Sequence, residues 1–449
     1  MTLPPLPGLD PDDVPGLPPV ARRFCRYVRL DTRSDPDSEA FPSTEKQKDL
    51  GRLLVEELVA MGADDVEMDT WGYVFATLPA PLPAEEAARL PTVGLVAHVD
   101  TSPDAPGANV RPRLHPDYDG RPLALAEGAV LDPQRQPALL RHVGQTLITS
   151  DGTTLLGSDD KAGVAVIMQL AEDLLADERA SAEQGVRPAL RPALRLLFTP
   201  DEEIGKGTDK LDLGRFGADV AYTLDGSGTD RLNVETFNAA EAVLTVEGVG
   251  VHPGYAKGVL VDAVRIAAQF VAALPPDEAP ETTDGREGYY YPHSFEGDTV
   301  RAVVKVLLRD FEDDGMARRK AFVRRLAADL AAQHPKATVT LAIRDSYRNM
   351  LRYIEATDPR VVEVAVEAAW AMGFEPEMEL VRGGTDGARL SEKGIPTPNV
   401  FTGGYDFHSR FEWNTVENLE RSLAYAHTLV RTWGEQVEKG REGERVNGG

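Results

Sequence analysis

Residues 194–207 read LRLLFTPDEEIGKG, an apolar run that closes in a proline, an acidic triplet and two glycines. Such a run predicts a buried strand ending in a loop, and open α/β sheets place their ligands at the carboxyl ends of these strands. Glu202 and Glu203 are adjacent there. Packed carboxylates repel and raise each other's pKa unless a cation lies between them or one of them holds a proton. A solvated acidic turn is the ordinary explanation for such a pair, so the rest of the chain has to decide.

Other apolar segments close in polar residues in the same way. Residues 92–100 read TVGLVAHVD and residues 219–226 read DVAYTLDG, and each pattern predicts a strand with an acid near its end. Residues 161–176, rich in Ala, Val and Leu, predict a helix between them. Strands buried on both faces and separated by helices indicate an α/β fold with a doubly wound, mostly parallel sheet.

The pattern changes between residues 239 and 350. Strands are predicted at 242–246, 300–311 and 337–343, and helices at 262–274 and 317–333. This run predicts an antiparallel sheet with helices on one face, a smaller α+β lid inserted into the α/β domain. The main domain therefore comprises residues 1–238 and 351–449, with late helices at 359–372 and 417–433. Residues 1–20 and the tail from about 435 are expected to be poorly ordered.

Net charge limits the classes of partner that we expect, and the cysteine content bears on the cellular compartment. The net charge of −25 over 449 residues argues against nucleic acid and anionic membranes as partners, because both are negatively charged. The proline-rich start has neither a signal-peptide pattern nor a spanning helix. Cys25 is the only cysteine, so no internal disulfide can form, and we expect a cytoplasmic protein in which Cys25 is buried and inert.

Polar residues at the predicted strand ends and in glycine-bounded loops form one chemical set. Its members are His98, Asp100, Asp159, Glu202, Glu203, Asp225 and His408. Imidazole and carboxylate without thiolate suit zinc, manganese or cobalt, and five ligand candidates suit two metal ions that share a carboxylate. His98 and Asp100 project the same way from a strand, which suits a ligand and the partner that orients it.

Ordinary structural roles remain open for several members of this set. His98 and Asp100 could form a structural hydrogen bond, Asp225 before Gly226 could be a turn residue, and His408 could be a satisfied core histidine. Asp160 could cap the helix that follows it. The glycines near this helix lack the spacing of a phosphate-binding loop, and no serine or cysteine lies in a nucleophile motif.

Several motifs carry a resemblance. His98-Val99-Asp100, SDDKAG at 158–163, DEEIG at 201–205, Asp225-Gly226 and the late His408 together resemble the aminoacylase/carboxypeptidase family of di-zinc exopeptidases. Longer stretches resemble its branch of tripeptide aminopeptidases: DGTTLLGSDDKAG at 151–163, TPDEEIGKG at 199–207, VHPGYAKG at 251–258, PETT at 280–283, RDF at 309–311, RGGTDG at 382–387 and FTGGYDFH at 401–408. The similarity extends from about residue 20 to 430.

The resemblance implies two Zn²⁺ ions per subunit, for which Co²⁺ or Mn²⁺ could substitute. His98, Asp159 and Asp225 would hold one ion, and Asp159, Glu203 and His408 would hold the other. Glu202 would be the general base that activates a water shared by the two ions, and Asp100 would orient His98. His252 and Arg309 of the lid and Arg382 of the main domain would contact the substrate, since guanidinium groups suit a peptide's terminal carboxylate. The expected reaction is removal of the amino-terminal residue from a tripeptide.

Two other functions remain to be distinguished. An N-acyl- or carbamoyl-amino-acid amidohydrolase would use the same metal core with different outer contacts. A metal-binding protein without catalysis would need the ligands but not the base, so an intact Glu202 disfavours it. The lid is in addition a candidate surface for pairing two subunits into a homodimer.

Overall fold

The computed structural model describes residues 8–447. Its strands are β1 (Asp64–Met68), β2 (Val74–Leu78), β3 (Val93–His98), β4 (Arg113–His115), β5 (Leu123–Ala124), β6 (Val130–Leu131), β7 (Leu147–Thr149), β8 (Leu194–Thr199), β9 (Val220–Gly226), β10 (Arg231–Thr236), β11 (Asn238–Glu247), β12 (Tyr289–Gly297), β13 (Arg301–Asp310), β14 (Thr338–Tyr347), β15 (Glu377–Val381), β16 (Asn399–Phe401) and β17 (Trp413–Thr415). Its helices are α1 (Pro19–Tyr27), α2 (Gln47–Met61), α3 (Ala84–Ala87), α4 (Ser158–Gln184), α5 (Leu213–Phe216), α6 (Ala263–Ala272), α7 (Asp313–Gln333), α8 (Leu351–Thr357), α9 (Arg360–Ala371), α10 (Asp386–Glu392) and α11 (Val416–Asn447).

The chain divides into two compact units. The larger contains the residues up to 234 together with 353–379 and those from 385 onwards, and the smaller contains 235–352 and 380–384. The sequence assigned residues 380–384, which include Arg382, to the main domain, but this short segment groups with the smaller unit. A domain boundary predicted from sequence follows chain order only. It therefore misses a short segment, such as residues 380–384, that packs with the other unit.

The main sheet belongs to the α/β class that the sequence predicts. Its strand order is β1-β2-β8-β3-β9-β16-β10-β15. The four central strands β8, β3, β9 and β16 run parallel, whereas β1 and β2 at one edge and β10 beyond β16 pair antiparallel. The doubly wound α/β fold is thus confirmed, with parallel pairing concentrated at the centre. Because β3 lies between β8 and β9, the carboxyl ends of these three strands open at one edge of the sheet.

Helices pack on this sheet at close range. Val96 and Leu197 of the central strands share a buried cluster with Phe216 of α5 and Leu390 of α10. Helix α4 packs against β3 and β9. At Gly163 of α4 an added Cβ would lie 1.9 Å from the Leu224 carbonyl oxygen, so only glycine lets the helix approach strand β9 this closely.

The smaller unit is an antiparallel sheet covered by two helices, as the alternating pattern predicts. The strand order is β12-β13-β11-β14. Inward residues such as Ala242, Leu244 and Val306 pack with Ile266 of α6 and Val323 of α7 in one core. The edge strand β12 was not predicted, because its residues YYYPHSFEG lack apolar alternation and include a proline, which edge strands tolerate.

The amino-terminal end of the described chain is more ordered than the sequence suggests. Leu9 pairs with Leu114 through a backbone hydrogen bond of 2.8 Å, and Arg29 contacts Asp10 and Asp12 at 2.9 and 2.7 Å. The expectation of a poorly ordered lead-in is therefore wrong for residues 8–20, and residues 1–7 lie outside the described part. Helix α11 continues to Asn447, well past its predicted end at 433. Across residues 8–447, no helix combines the length and the apolar character needed to cross a membrane.

Candidate active site

The acidic and imidazole side chains of the predicted set meet where β3, β8 and β9 end. His98 is the last residue of β3, Glu202 and Glu203 begin the short turn after β8, and Asp225 is the second-last residue of β9. The parallel pairing of these strands brings the side chains together, because their carboxyl ends share one edge.

One cluster forms around His98, whose side chain is 2% exposed. Its Nε2 atom lies 2.9 Å from Oδ1 of Asp159 and 3.7 Å from Oδ1 of Asp225. One ligand atom from each of these three residues fits within 4.8 Å of the others, a spacing that could hold a metal ion.

A second cluster forms around His408. Its Nε2 atom lies 2.8 Å from Oε2 of Glu203 and 3.2 Å from Oδ2 of Asp159. These three residues also have ligand atoms within 4.8 Å of one another. Asp159 therefore contributes one carboxylate oxygen to each cluster and joins them.

Asp100 supports both the imidazole and the glutamate turn. Nδ1 of His98 lies 3.1 Å from the backbone oxygen of Asp100. The Asp100 carboxylate accepts hydrogen bonds from the backbone amides of Glu202 and Glu203, at 3.0 and 3.2 Å. This buried aspartate therefore fixes where the two glutamates project.

Asp201 anchors the same turn from the other side, a role that the sequence did not reveal. Asp201 is buried with φ +58°, and its carboxylate accepts hydrogen bonds from the Ser43 amide at 2.6 Å and from Nε2 of Gln47 at 2.7 Å. The only sequence signal was its place in the acidic triplet, since Ser43 and Gln47 lie far away in the chain.

Asp159 and His408 are presented by irregular backbone. Asp159 lies at the start of α4, but its φ of −83° and ψ of 105° are outside the helical range. Its side chain is therefore positioned by irregular backbone that precedes the regular part of the helix. His408 has φ +59° and is 42% exposed at its side chain. It lies in a loop closed by reciprocal backbone hydrogen bonds between Tyr405 and Trp413, at 2.9 and 3.1 Å.

Charge burial perturbs this site strongly. Burial and the neighbouring Asp159 raise the pKa of Glu203 to about 8 and the pKa of Asp225 to about 6. Burial also raises the pKa of Glu202 well above its usual range. Burial opposes protonation of His408, but its hydrogen bonds to Asp159 and Glu203 prevail and raise its pKa to about 11. The cluster thus retains protons, which is what closely packed carboxylates do when no other positive charge lies among them.

The residues fit a bound metal ion on their own chemistry. Oε1 of Glu203 is buried and has no hydrogen-bond partner among the described residues, so one carboxylate lone pair is left for another ligand. Nitrogen and oxygen donors without sulfur suit zinc, manganese or cobalt. A divalent cation would replace the protons that the cluster otherwise holds.

Comparison with known proteins identifies the family. The chain is 44% identical to peptidase T of Geobacillus thermodenitrificans over 420 residues, which cover 93% of this chain and 99% of that protein. The chain belongs to the peptidase T family. Peptidase T of Clostridium perfringens is 41% identical over the same shares of the two chains. Residues 234–338 match the family described as a peptidase dimerisation domain. The tripeptide aminopeptidase resemblance read from the motifs is thereby confirmed, and the protein is a metallo-aminopeptidase of the peptidase T type.

Solved structures agree with this fold. The aminopeptidase PepT from Bacillus cereus aligns with a TM-score of 0.68 at 22% identity, over 92% of this chain and 98% of that one. The YXEP protein of Bacillus subtilis, described as a dinuclear metal-binding peptidase of the M20 family, aligns with a TM-score of 0.61 at 15% identity, over 93% and 97%. At these identities the alignments establish the shared fold.

Asp386 is a further buried acid near the candidate metal ligands. It opens α10 within the RGGTDG motif, and its Oδ2 accepts a hydrogen bond from Oγ1 of Thr199 at 2.7 Å. Burial raises its pKa to about 7, and Asp100 and Asp225 add to the effect. The motif contributed to the family resemblance, but nothing in the sequence singled out the aspartate.

The predicted substrate contacts of this peptidase T relative lie in the smaller unit. His252 is exposed and accepts a hydrogen bond from the Gly254 amide at Nδ1, at 3.1 Å. Arg309 donates from Nη1 to the Leu308 carbonyl at 3.0 Å, and its guanidinium lies 5.7 Å from the ring centroid of Tyr347. Their contact with substrate stays a prediction.

Arg382, the third predicted substrate contact, is hydrogen-bonded to other residues of the smaller unit. Its Nη1 donates to the carbonyls of Gly285 and Glu287 at 2.8 and 3.0 Å, and its Nη2 donates to Oγ1 of Thr283 at 2.8 Å. The guanidinium also lies over the ring of Phe237, 5.2 Å from its centroid. With its terminal nitrogens engaged in this way, Arg382 has less capacity to bind a carboxylate than Arg309 has.

Proposed function

We propose that this protein hydrolyses the first peptide bond of tripeptides with two Zn²⁺ ions held by the joined clusters and with Glu202 as the general base. The observation that carries the proposal is the arrangement of two ligand groups that share Asp159, beside a partly buried glutamate, Glu202, that belongs to neither. His98, Asp159 and Asp225 would hold one ion, and Asp159, Glu203 and His408 the other. When bound, the two ions supply positive charge that polarises the scissile carbonyl and lowers the pKa of the attacking water.

Glu202 is suited to moving the proton. Its amide is fixed by Asp100 at 3.0 Å, so the residue is oriented through its backbone while its carboxylate stays outside both ligand groups. The carboxylate takes a proton from water as the water oxygen attacks the carbonyl carbon. When the C–N bond breaks, the same carboxyl returns the proton to the leaving amine nitrogen.

Asp100 holds the proposed base and two proposed ligands in position. Its carboxylate accepts hydrogen bonds from the backbone amides of both Glu202 and Glu203. Any movement of this turn would therefore displace the proposed base and a proposed ligand together. Its backbone oxygen beside Nδ1 of His98 favours the tautomer with the proton on Nδ1, which leaves Nε2 free to act as a ligand.

Residues of the smaller unit would recognise the peptide. Arg309 would bind the terminal carboxylate of the substrate, because a guanidinium matches a carboxylate in shape and charge. His252 would stabilise the developing oxyanion by donating a hydrogen bond. Arg382 would act mainly by ordering the loop at residues 283–287, to which it is hydrogen-bonded.

The match of residues 234–338 to a peptidase dimerisation domain supports assembly of two subunits through the smaller unit. Light scattering during size exclusion would give twice the chain mass of 48.8 kDa for a dimer. A single chain mass across the working concentration range would exclude it.

The proposed reaction is tested with purified protein whose metal content is measured. We expect about two equivalents of metal, release of free amino-terminal residues from tripeptides, weak activity on dipeptides, and none on N-acetyl or N-carbamoyl amino acids. Preference for the N-blocked compounds would instead assign an amidohydrolase that uses the same metal core. Chelation should abolish activity and added Zn²⁺, Co²⁺ or Mn²⁺ should restore it.

A further inference from the structure

Glu412 is a buried carboxylate that the reaction above does not use. Its side chain is 1% exposed. Its Oε2 atom accepts hydrogen bonds from the amides of Leu156 and Gly157 at 2.8 and 2.7 Å, and its Oε1 atom accepts one from the Asp159 amide at 3.0 Å. One carboxylate therefore binds three backbone N–H groups of a single short loop.

This carboxylate connects two parts of the chain that carry metal-ligand candidates. The loop at 156–159 ends in Asp159, whereas Glu412 lies four residues after His408, in the loop closed by Tyr405 and Trp413. Amides that converge on a charged acceptor make strong hydrogen bonds, particularly when buried. Glu412 thus ties the backbone that presents Asp159 to the backbone that presents His408.

Neighbouring contacts reinforce the same junction. Nδ2 of Asn414 donates to Oγ of Ser158 at 2.9 Å and to the Thr402 carbonyl at 3.2 Å. An added Cβ at Gly404 would lie 2.5 Å from Oγ of Ser158, so the Ser158 side chain packs directly against the Gly404 backbone. The loops are therefore packed together, and Glu412 supplies their charged connection.

We propose that Glu412 is a positioning residue that sets the distance between Asp159 and His408, and thereby the affinity of the Asp159–Glu203–His408 group for its metal ion. The inference rests on the proposed metal-dependent function. It assigns to Glu412 no contact with substrate or metal, because its oxygens are occupied by the three amides.

Substitution at this position has a defined chemical consequence. In Glu412→Gln one acceptor oxygen becomes an NH₂ group, which would face at least one backbone N–H and repel it. In Glu412→Asp the charge remains, but the side chain is shorter by one methylene and cannot reach all three amides. We therefore expect metal affinity to fall in the order wild type, Glu412→Asp, Glu412→Gln.

The test is a Co²⁺ titration of metal-free protein, followed by the visible absorption of bound Co²⁺ and by competition with a chelator. For Glu412→Gln we expect the second Co²⁺ equivalent to bind roughly 10–100-fold more weakly, with a changed absorption spectrum, and Glu412→Asp to lie in between. Activity on tripeptides should recover at excess Co²⁺ with KM near the wild-type value.

Glu417→Gln is the matched control. Glu417 also accepts a backbone hydrogen bond, from the Thr146 amide at 3.1 and 3.0 Å, but it holds no loop that carries a metal-ligand candidate. Wild-type Co²⁺ affinity and spectrum in Glu412→Gln would overturn the proposal, as would an equal loss in Glu417→Gln. If Glu412→Gln does not fold, Glu412→Asp decides by the same criteria. Failure of wild-type protein to bind two Co²⁺ ions would instead overturn the proposed function, and with it this inference.

Discussion

The neighbouring carboxyls Glu202 and Glu203 should respond differently to the same substitution. Both lie in one short turn, both are fixed through their amides by Asp100, and desolvation raises the pKa of both. Replacing either by glutamine keeps side-chain size and removes one titrating group. Glu203 belongs to a ligand group and Glu202 to none, so Glu202→Gln should remove proton transfer and Glu203→Gln should remove metal.

The expected size of each effect follows from these positions. Glu202→Gln leaves both ligand groups and the backbone bond to Asp100 in place, so its loss is confined to general acid–base catalysis, roughly 10²–10⁴-fold in kcat. That corresponds to roughly 3–5 kcal/mol in the activation barrier. Glu203→Gln replaces a charged ligand by a neutral amide, so the cluster at His408 should lose its ion and metal content should fall from about two equivalents to one.

Metal analysis after gel filtration, combined with steady-state kinetics on a tripeptide, measures both effects on the same samples. We expect near wild-type metal content with very low kcat in Glu202→Gln, and metal loss that excess metal partly restores in Glu203→Gln. If Glu202→Gln loses metal in proportion to activity, Glu202 is a ligand and the division of roles is wrong. Equal metal loss in both variants would have the same meaning.

Three other perturbations test separate parts of the molecule. Arg309→Ala should raise KM for a tripeptide roughly 10–100-fold, the value of a lost charged hydrogen bond, and leave KM for its carboxy-amidated analogue unchanged; an equal rise for both would remove Arg309 as the carboxylate contact. His115 is 8% exposed and burial lowers its pKa to about 4, so the unfolded chain takes up a proton that the folded protein does not. Unfolding free energy should therefore fall between pH 6.5 and 4 by up to roughly 3 kcal/mol more than in His115→Gln, and parallel pH profiles in denaturant melts would contradict this. Gly163→Ala would place Cβ 1.9 Å from a strand carbonyl and should cost roughly 1–3 kcal/mol of unfolding free energy. Gly383→Ala, which meets nothing within 4 Å, should not change it.

Much of the larger unit could be predicted because its pattern and its chemistry coincide. Continuous apolar runs defined the central strands, and a parallel sheet requires their carboxyl ends to lie at one edge. His98, Glu203 and Asp225 could therefore be placed together before any coordinates. Asp159 and His408 joined the same set as residues of glycine-bounded loops, but their assignment as ligands came from the resemblance, because irregular loops carry no periodic signal.

What escaped prediction depends on contacts between distant residues. The anchoring of Asp201 by Gln47 and of the 156–159 loop by Glu412 joins segments more than a hundred residues apart, and no local pattern records such pairs. The position of Arg382 in the smaller unit was missed for the same reason, since its partners at 283–287 lie far upstream. Strand β12 was missed because its residues lack apolar alternation and include a proline, which an edge strand tolerates.

The order of the metal-ligand candidates along the chain has a consequence for synthesis. They run from His98 to His408, with the smaller unit inserted between Asp225 and His408, so the last of them is synthesised after most of that unit. A growing chain that has not yet reached His408 can form the cluster at His98 but not the cluster at His408. Peptide-cleaving activity would therefore appear only after His408 has been added, and fragments that terminate before His408 would carry an incomplete centre.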